Sequence, residues 1–582
     1  MSRRRETITY GASPLLASKT PVWRSRLVLA VLALAFATLL GRAFYVQVLA
    51  NDFFKRQGEI RAHRTQVLEP NRGRILDRNG LVLATSVPAF RVWAEEADAK
   101  HPKLSEVASL LGMSTDALRQ RLVKSQQGYV AIKHQVDDAV GEKIRALKIS
   151  GLYLDREYRR EYPAGEAMAH VVGFTDLEGK GQEGIELALD AKLAGIKGSR
   201  RVIKDRMSRV IDDARDIIPP VNGEDVVLSI DSKIQFFAYD RLRESVTAHK
   251  AKSGSIIVLD ARSGEILALA NYPSYDPADR KSRAGDSMRN RAITDVFEPG
   301  STVKPFIVAQ ALHTGRIKPE TRIDTGNGKY QMGGFTITDT HPHGVVSVSQ
   351  VIQVSSNIGA LKIGMDLPTE QMWQMYSDLG LGKKPDTLFP GAARGRLAAP
   401  SEWRPINKAT MSYGYGLSAS LFQLARAYTV FANDGRIIDT TLVKRQAGEV
   451  PAGQGVFSAT SMTDMRHMLG LVVSPEGTAP KAQMVGYSAG GKTGTARKVG
   501  DSGRYVDRKY RGFFVGIAPV ESPRLVGAVM VDEPSSGVIY GGLLAAPVFS
   551  ATIQQALRFM GVQPDQTIKP NIKAVGVKES IG

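Results

Sequence analysis

Ser301 and Lys304 stand three residues apart in the run Phe297-Glu298-Pro299-Gly300-Ser301-Thr302-Val303-Lys304-Pro305. On a helix that spacing puts both side chains on one face, a hydroxyl nucleophile beside an amine able to take its proton. Pro299-Gly300 breaks structure just before the serine, and Pro305 is tolerated only in a helix's first turn. Ser301 and Lys304 are therefore expected in an opening turn, where free N–H groups and the positive end of the helix dipole stabilise a developing oxyanion. Lysine ordinarily titrates near ~10.4, so a lysine base at pH 7 must be depressed by about 4 kcal/mol. Burial and a second cation both push that way.

Two further signals follow in order. Ser355-Ser356-Asn357 offers the Ser355 hydroxyl for proton relay and the Asn357 amide to orient Lys304 and a substrate. Lys492-Thr493-Gly494-Thr495 supplies a second lysine, both as that cation and as the partner of a substrate carboxylate, with Thr493 as an extra hydroxyl donor. Gly494 has no side chain, so a substrate can lie against this segment as an added strand. A lone Ser-x-x-Lys is a weak signal; the ordered trio is a strong one. Lys252-Ser253-Gly254 mimics part of it but precedes Ser301 at the start of a strand, and reads as structural. Asp339-Thr340-His341-Pro342-His343 has a carboxylate and two histidines, yet the intervening proline and the missing partner cluster favour a surface loop over a metal site. No metal or cofactor is expected. Ser412-Tyr413-Gly414-Tyr415-Gly416 reads equally well as a simple turn or as the wall of a groove.

The elements that must position these residues are legible in outline. A chain of 582 residues calls for two or three domains. Cysteine is absent, which excludes disulfides, a thiol nucleophile and thiolate metal sites. The net charge of +19 comes without zinc-finger spacing, a P-loop or an RNP-like aromatic run, so it suits anionic lipid headgroups better than nucleic acid. Leu27–Val48 carries no charge but Arg42 and spans roughly 33 Å as a helix, enough to cross a bilayer. Arg3, Arg4, Arg5, Lys19, Arg24 and Arg26 precede it against Glu6 alone, so the N-terminus is expected in the cytoplasm and everything after residue 50 outside it. The late start of the run and the lack of an Ala-x-Ala site argue against a cleaved signal peptide.

The expected layout is a tail over 1–26, an anchor over 27–48, a mixed α/β pedestal over 49–222, a catalytic domain over 223–563, and a disordered tail over 564–582. The pedestal carries an Asn79-Gly80 hairpin signal, helices at Ala139–Leu147 and Glu183–Ala194, and no catalytic constellation. In the catalytic domain, Val226–Ile230, Ser255–Leu259, Glu265–Ala270, Gly512–Ala518 and Leu525–Val531 read as strands. Ser232 reads as the cap of a helix to Ala248, and further helices are expected at Thr302–Leu312, Ser349–Ile363 and Leu421–Ala432. Strands at both ends with helices between them imply an α+β domain, an antiparallel sheet covered by helices.

The chain resembles the class B, monofunctional penicillin-binding proteins, and within them the division-specific branch. The resemblance spans nearly the whole chain: the basic tail and anchor, Arg72-Gly73, Asp77-Arg78-Asn79-Gly80, Gly181-Gln182-Glu183-Gly184-Ile185-Glu186, and Ile293 to Pro305. It continues through Ser355-Ser356-Asn357, Tyr413-Gly414-Tyr415-Gly416, Lys492 to Ala496, and Tyr540-Gly541-Gly542. It implies a serine β-lactamase-like D,D-transpeptidase domain. Ser301 would attack the penultimate D-Ala carbonyl of a peptidoglycan stem peptide, with Lys304 as base, Ser355 and Asn357 as relay and orienting groups, and Lys492, Thr493, Gly494 and Thr495 holding substrate. The backbone N–H groups of Ser301 and Thr495 would form the oxyanion hole, and β-lactams would acylate Ser301. The implied partners are an FtsW-type septal glycosyltransferase and other divisome proteins, at the division septum of the bacterial inner membrane with the catalytic domain in the periplasm. The roughly 170 residues between anchor and catalytic domain leave no room for a glycosyltransferase domain of its own. Two alternatives stand beside this: a carboxypeptidase or β-lactamase of the same chemistry, for which no water-activating Glu motif is visible, and a scaffold or β-lactam sensor that only binds.

Overall fold

The computed structural model describes residues 21–54, 63–204, 210–500 and 504–567. The basic tail up to residue 20 and the C-terminal tail from 568 lie outside the described residues. Two units are distinguished by their internal packing. The first comprises residues 1–69 and 197–220, the second 70–196 and 221–582.

In the first unit, Pro21 starts helix α1 (Val22–Phe44), which a π-helical turn extends over Tyr45–Leu49. Its run of leucine, valine and alanine has a mean hydropathy of 2.2 and buries none of its side chains in protein, so Val22–Leu49 is long and apolar enough to cross a membrane. The helix begins five residues before the expected span. Arg42 stacks over the Tyr45 ring, 5.4 Å from its centroid. The same unit holds a three-stranded antiparallel sheet of His63–Leu68, Gly198–Lys204 and Val210–Ile218.

The second unit begins with the pedestal. Its long strand Val82–Ala94 pairs antiparallel with Ile75–Leu76, Val130–Asp137 and Leu152–Glu161. Phe90, Val107, Leu118, Leu122, Ile132 and Ile144 form a core between this sheet and its helices. Beside it Glu186, with no exposed surface, accepts from Arg72 Nε and Arg160 Nε at 2.7 Å each. Val226–Val227 pairs parallel with Ile75–Leu76. The strand expected over 226–230 is thus two residues long and joins the pedestal's sheet rather than the catalytic one. Flanking polar residues end it: Asp225 is clamped by Arg74, and Asp231 accepts from Lys233 N and Ile234 N, capping the next helix one residue before the expected Ser232.

From there the chain runs α2 (Ser232–Ala248), β1 (Ser253–Asp260), β2 (Ile266–Tyr272), α3 (Lys304–His313), α4 (Val348–Gln353), α5 (Asn357–Asp366), α6 (Ala459–Val473), β3 (Gly490–Val499), β4 (Tyr505–Ala518), β5 (Leu525–Asp532) and α7 (Ala546–Phe559), with shorter elements between. The five strands form one antiparallel sheet in the order β2-β1-β5-β4-β3. Every residue of β1 and β5 is buried, because helices cover both faces. Helices α2 and α7 pack together on the sheet, and Gly527 of β5 lets Phe549 and Ile553 of α7 settle onto it, since a Cβ there would lie 2.8–2.9 Å from both. Helix α6 lies against β3, which forms one edge of the sheet. The α+β architecture drawn from both ends of the domain is the one observed.

Replacing Glu186 with alanine would take the carboxylate from the buried Arg160 guanidinium and leave the buried Arg72 with Asp190 alone. Such breakage costs about 3–5 kcal/mol. Glu186→Ala is expected to lower the calorimetric transition temperature of the full chain markedly, whereas Glu178→Ala, in a surface turn, should leave it unchanged.

Candidate active site

The turn that carries Ser301 is held from two sides. Gly300 through Val303 form a 3₁₀ turn that runs straight into α3, whose first residue is Lys304 and whose second is Pro305. Gly300 has φ +53° and donates to Gly414 O at 3.0 Å. Gly414 must itself be glycine, because a Cβ there would lie 1.9 Å from Gly300 O. The Tyr-Gly-Tyr-Gly stretch is therefore a wall pressed against this turn. From below, the buried Tyr428 hydroxyl donates to Thr302 O at 2.7 Å. Ser301 is half-buried and Lys304 wholly buried.

Lys304 Nζ donates to Ser355 O at 2.5 Å and Asn357 Oδ1 at 2.7 Å, with Ser355 Oγ at 3.3 Å. These acceptors come from a break between two helices. The single helix expected over 349–363 is two, α4 and α5, because Ser355 adopts φ +62°, a left-handed conformation that costs a non-glycine residue about 1–3 kcal/mol. Ser356 then caps α5 by accepting from Gly359 N at 2.9 Å, and Asn357 opens it. Asp339 secures the arrangement: Oδ2 accepts from Ser356 Oγ at 2.6 Å, and Oδ1 accepts from Asn357 N at 2.5 Å and Ile358 N at 3.1 Å. Asn357 Nδ2 donates to Thr338 O at 2.8 Å. The carboxylate that looked metal-like is thus occupied by a helix N-terminus, and His341 is exposed. Among the described residues no three His, Cys, Asp or Glu side chains gather as a metal site.

Strand β3 brings the third motif alongside. Lys492 is wholly buried, with Thr493 O and Oγ1 at 3.3 Å from its Nζ. Thr493 Oγ1 shares a hydrogen bond of 2.9 Å with Thr478, and Thr495 Oγ1 accepts from Gly541 N at 3.3 Å. A Cβ on Gly494 would approach Thr302 Cγ2 to 2.9 Å and Pro299 O to 3.2 Å. Glycine is required there for close approach of strand and nucleophile turn, a reason beyond the one expected. Burial pushes Lys304 down from 10.5 to about 7, and the Asp339 charge opposes this. Lys492 falls well below its ordinary range through burial and then the Lys304 charge. Of the two expected causes of the Lys304 depression, burial is the one that acts; the repulsion between the amines falls on Lys492 instead. Thr478 and Tyr428 escaped the sequence reading, and Asp339 was noted there only in a metal-like loop and not as the partner of Ser356 and Asn357. Asp339 alone left a trace, an acid that the N-terminus of α5 would attract.

A hydroxyl in a turn, a buried amine of depressed pKa one turn on, and an edge strand with a second amine form an acyl-transfer site. Comparisons with known proteins agree. The family description "Penicillin binding protein transpeptidase domain" matches residues 254–554, and "Penicillin-binding Protein dimerisation domain" matches residues 67–228. The chain belongs to the penicillin-binding protein transpeptidase family, and the pairing of these two domains makes it a class B member. It is 40% identical over 552 residues, 94% of each chain, to the probable peptidoglycan D,D-transpeptidase PenA of Neisseria gonorrhoeae. Over 551 residues, 93% of each, it is 37% identical to the peptidoglycan D,D-transpeptidase FtsI of Escherichia coli K12. A crystal structure of penicillin-binding protein 3 from Mycobacterium tuberculosis, complexed with aztreonam, superposes with a TM-score of 0.67 at 28% identity, covering 86% of this chain and 99% of that one.

If Lys304 serves as the base it must be neutral, and burial lowers its pKa to about 7. The rate of acylation by a fluorescent penicillin is therefore expected to rise about tenfold per pH unit below pH 6, reach half its plateau near pH 7, and level off above. Asp339→Asn removes the charge that raises this pKa, so its acid limb should move to lower pH in the same stopped-flow profile.

Proposed function

We propose that this chain is a membrane-anchored peptidoglycan D,D-transpeptidase that cross-links stem peptides of the septal wall through a Ser301 acyl-enzyme. The observation that carries this reading is the fully buried Lys304 amine, held by Ser355 and Asn357 one turn after Ser301. In the first half-reaction Ser301 Oγ bonds to the penultimate D-Ala carbonyl carbon while its proton passes to Lys304. The tetrahedral oxyanion sits on the N–H groups of Ser301 and Thr495, each such donor being worth roughly 3 kcal/mol in acyl-transfer enzymes. The proton then goes to the departing nitrogen, by way of Ser355, as the amide bond breaks and terminal D-Ala leaves. In the second half the amine of a neighbouring stem attacks the ester carbonyl, its proton returns to Ser301, and the cross-link is the new amide.

Lys492 suits the ligand's carboxylate. Burial depresses it in the free protein, and an arriving anion favours its ammonium form. That restored charge in turn keeps Lys304 neutral at the moment a base is needed. The free edge of β3 lets the stem peptide add as a further strand, with Thr493 and Thr495 on one face beside it. β-Lactams would enter as mimics of the same substrate, as the aztreonam complex of the mycobacterial relative supports.

The anchor, with Arg24 and Arg26 at its start, suits a single pass through the inner membrane with the catalytic domain in the periplasm. The division into a pedestal over 49–222 and a transpeptidase domain over 223–563 belongs to this proposal, as do the septal site and contact with an FtsW-type glycosyltransferase through anchor and pedestal. The kinship with FtsI and PenA supports them. Wild-type protein is expected to form a long-lived adduct with a fluorescent penicillin, seen by intact mass, and Ser301→Ala none. Rapid loss of the wild-type label would turn the reading to a hydrolase, and absence of label on folded protein to a scaffold.

A further inference from the structure

Glu298 lies three residues before Ser301 and is used by none of the steps above. Its carboxylate joins two other elements. Oε2 accepts from the Tyr505 hydroxyl at 2.9 Å, and Oε1 accepts from Gly416 N at 2.9 Å. Tyr505 opens β4 and pairs with Val499, the last residue of β3. Gly416 belongs to the wall whose Gly414 is pressed on Gly300. The backbone beneath Glu298 is rigid. Phe297 exchanges both hydrogen bonds with Ala419 at 3.0 Å, and its ring stacks on Phe513 of β4 with centroids 4.5 Å apart. Around the carboxylate, Tyr415 meets Tyr413 and Tyr505 edge to face, and the Arg497 guanidinium lies 5.7 Å from the Tyr505 ring.

Strand β3 already touches the nucleophile's turn at Gly494, against Thr302 and Pro299. β4 holds β3 along Gly490–Arg497, and the register shifts between Arg497 and Val499. Beyond that shift the Glu298–Tyr505 bond secures the strand pair where Tyr505 of β4 faces Val499, five residues and about 17 Å from Gly494 at ~3.4 Å per residue. Its loss frees this end of the pair, and with it the line of β3 at Thr495. That line matters because the two oxyanion donors ride on different elements, Ser301 on the turn and Thr495 on β3.

We propose that Glu298 is a positioning residue for acylation: by bridging the nucleophile's turn to the far end of β3, it sets the Thr495 N–H relative to Ser301. This rests on the acyl-transfer reading above. It assigns Glu298 and Tyr505 to the rate of bond formation and not to ligand affinity. A misplacement of about 1 Å at a reacting centre can cost up to roughly a hundredfold in rate, so a partly released strand should lose about tenfold.

The test is rapid-quench acylation of the full-length chain in detergent by a fluorescent penicillin, with the dissociation constant and the limiting rate resolved separately. Glu298→Ala and Tyr505→Phe should each lower the limiting rate about tenfold with the dissociation constant within about twofold, and the double variant should be no slower than the slower single one. Glu298→Gln should recover most of the rate, because its amide oxygen still accepts from Gly416 and its N–H can donate to the Tyr505 oxygen. Tyr505→Phe removes one hydroxyl from a side chain 46% exposed, so it carries the test even if Glu298→Ala fails to fold. Normal acylation by Tyr505→Phe, additive losses in the double variant, or weaker binding at an unchanged rate would each overturn the positioning role. A wild-type chain that takes no label would overturn the proposed function itself.

Discussion

Two lysine amines buried side by side are the constraint on which the rest of this domain depends. Neither has a carboxylate partner at hydrogen-bonding distance, and each lies in a medium that disfavours its charge. Such a pair persists only where the surroundings over-determine it. Lys304 is fixed because its acceptors are fixed: Ser355 presents its carbonyl from a left-handed backbone that the α4–α5 junction imposes, and Asn357 is tied by Asp339 and Thr338. Lys492 is fixed because β3 belongs to a five-stranded sheet. Strain at Ser355 and desolvation of two amines are costs concentrated at the site, and the fully buried strands β1 and β5 and their helix cover offset them.

The close approaches between these parts are made by missing side chains. Gly494 lets the edge strand reach Thr302, and Gly414 lets the neighbouring wall reach Gly300. These contacts hold the cleft's walls at backbone distance, where side-chain rearrangement cannot slacken them. Chemistry here needs donors from a turn, a helix junction and a strand to converge within a fraction of an ångström, and backbone contacts achieve this better than long side chains do.

Much of this was legible in the sequence. The motif residues needed only helical spacing and punctuation by Pro299, Gly300 and Pro305 to be placed in an opening turn. The apolar strands were equally plain, because strands covered on both faces read as unbroken hydrophobic runs. What stayed hidden is what long-range contact decides. The expected helix over 349–363 has good periodicity, and only the demand for a carbonyl beside Lys304 breaks it at Ser355. Val226 and Val227 look like any strand, and nothing local tells that their partner is Ile75. Asp339 sits in a loop resembling a metal ligand set, while its actual partners, Ser356 and Asn357, are distant in sequence. The depression of Lys304 and burial as a cause were foreseen, but not that the second amine's charge would fall on Lys492, because that division is a property of the assembled fold.

The sheet's connectivity also governs when the protein can become reactive. β1 pairs with β5, Ser253 opposite Asp532, so the central hydrogen-bonding ladder joins segments from nearly opposite ends of the domain. Without β5, β1 and β2 would have only each other, and the burial that lowers the amine at 304 would be incomplete. Closure of so large a loop is slow and comes late. The depressed amine at 304 is therefore a property of the completed sheet and not of the segment that carries it.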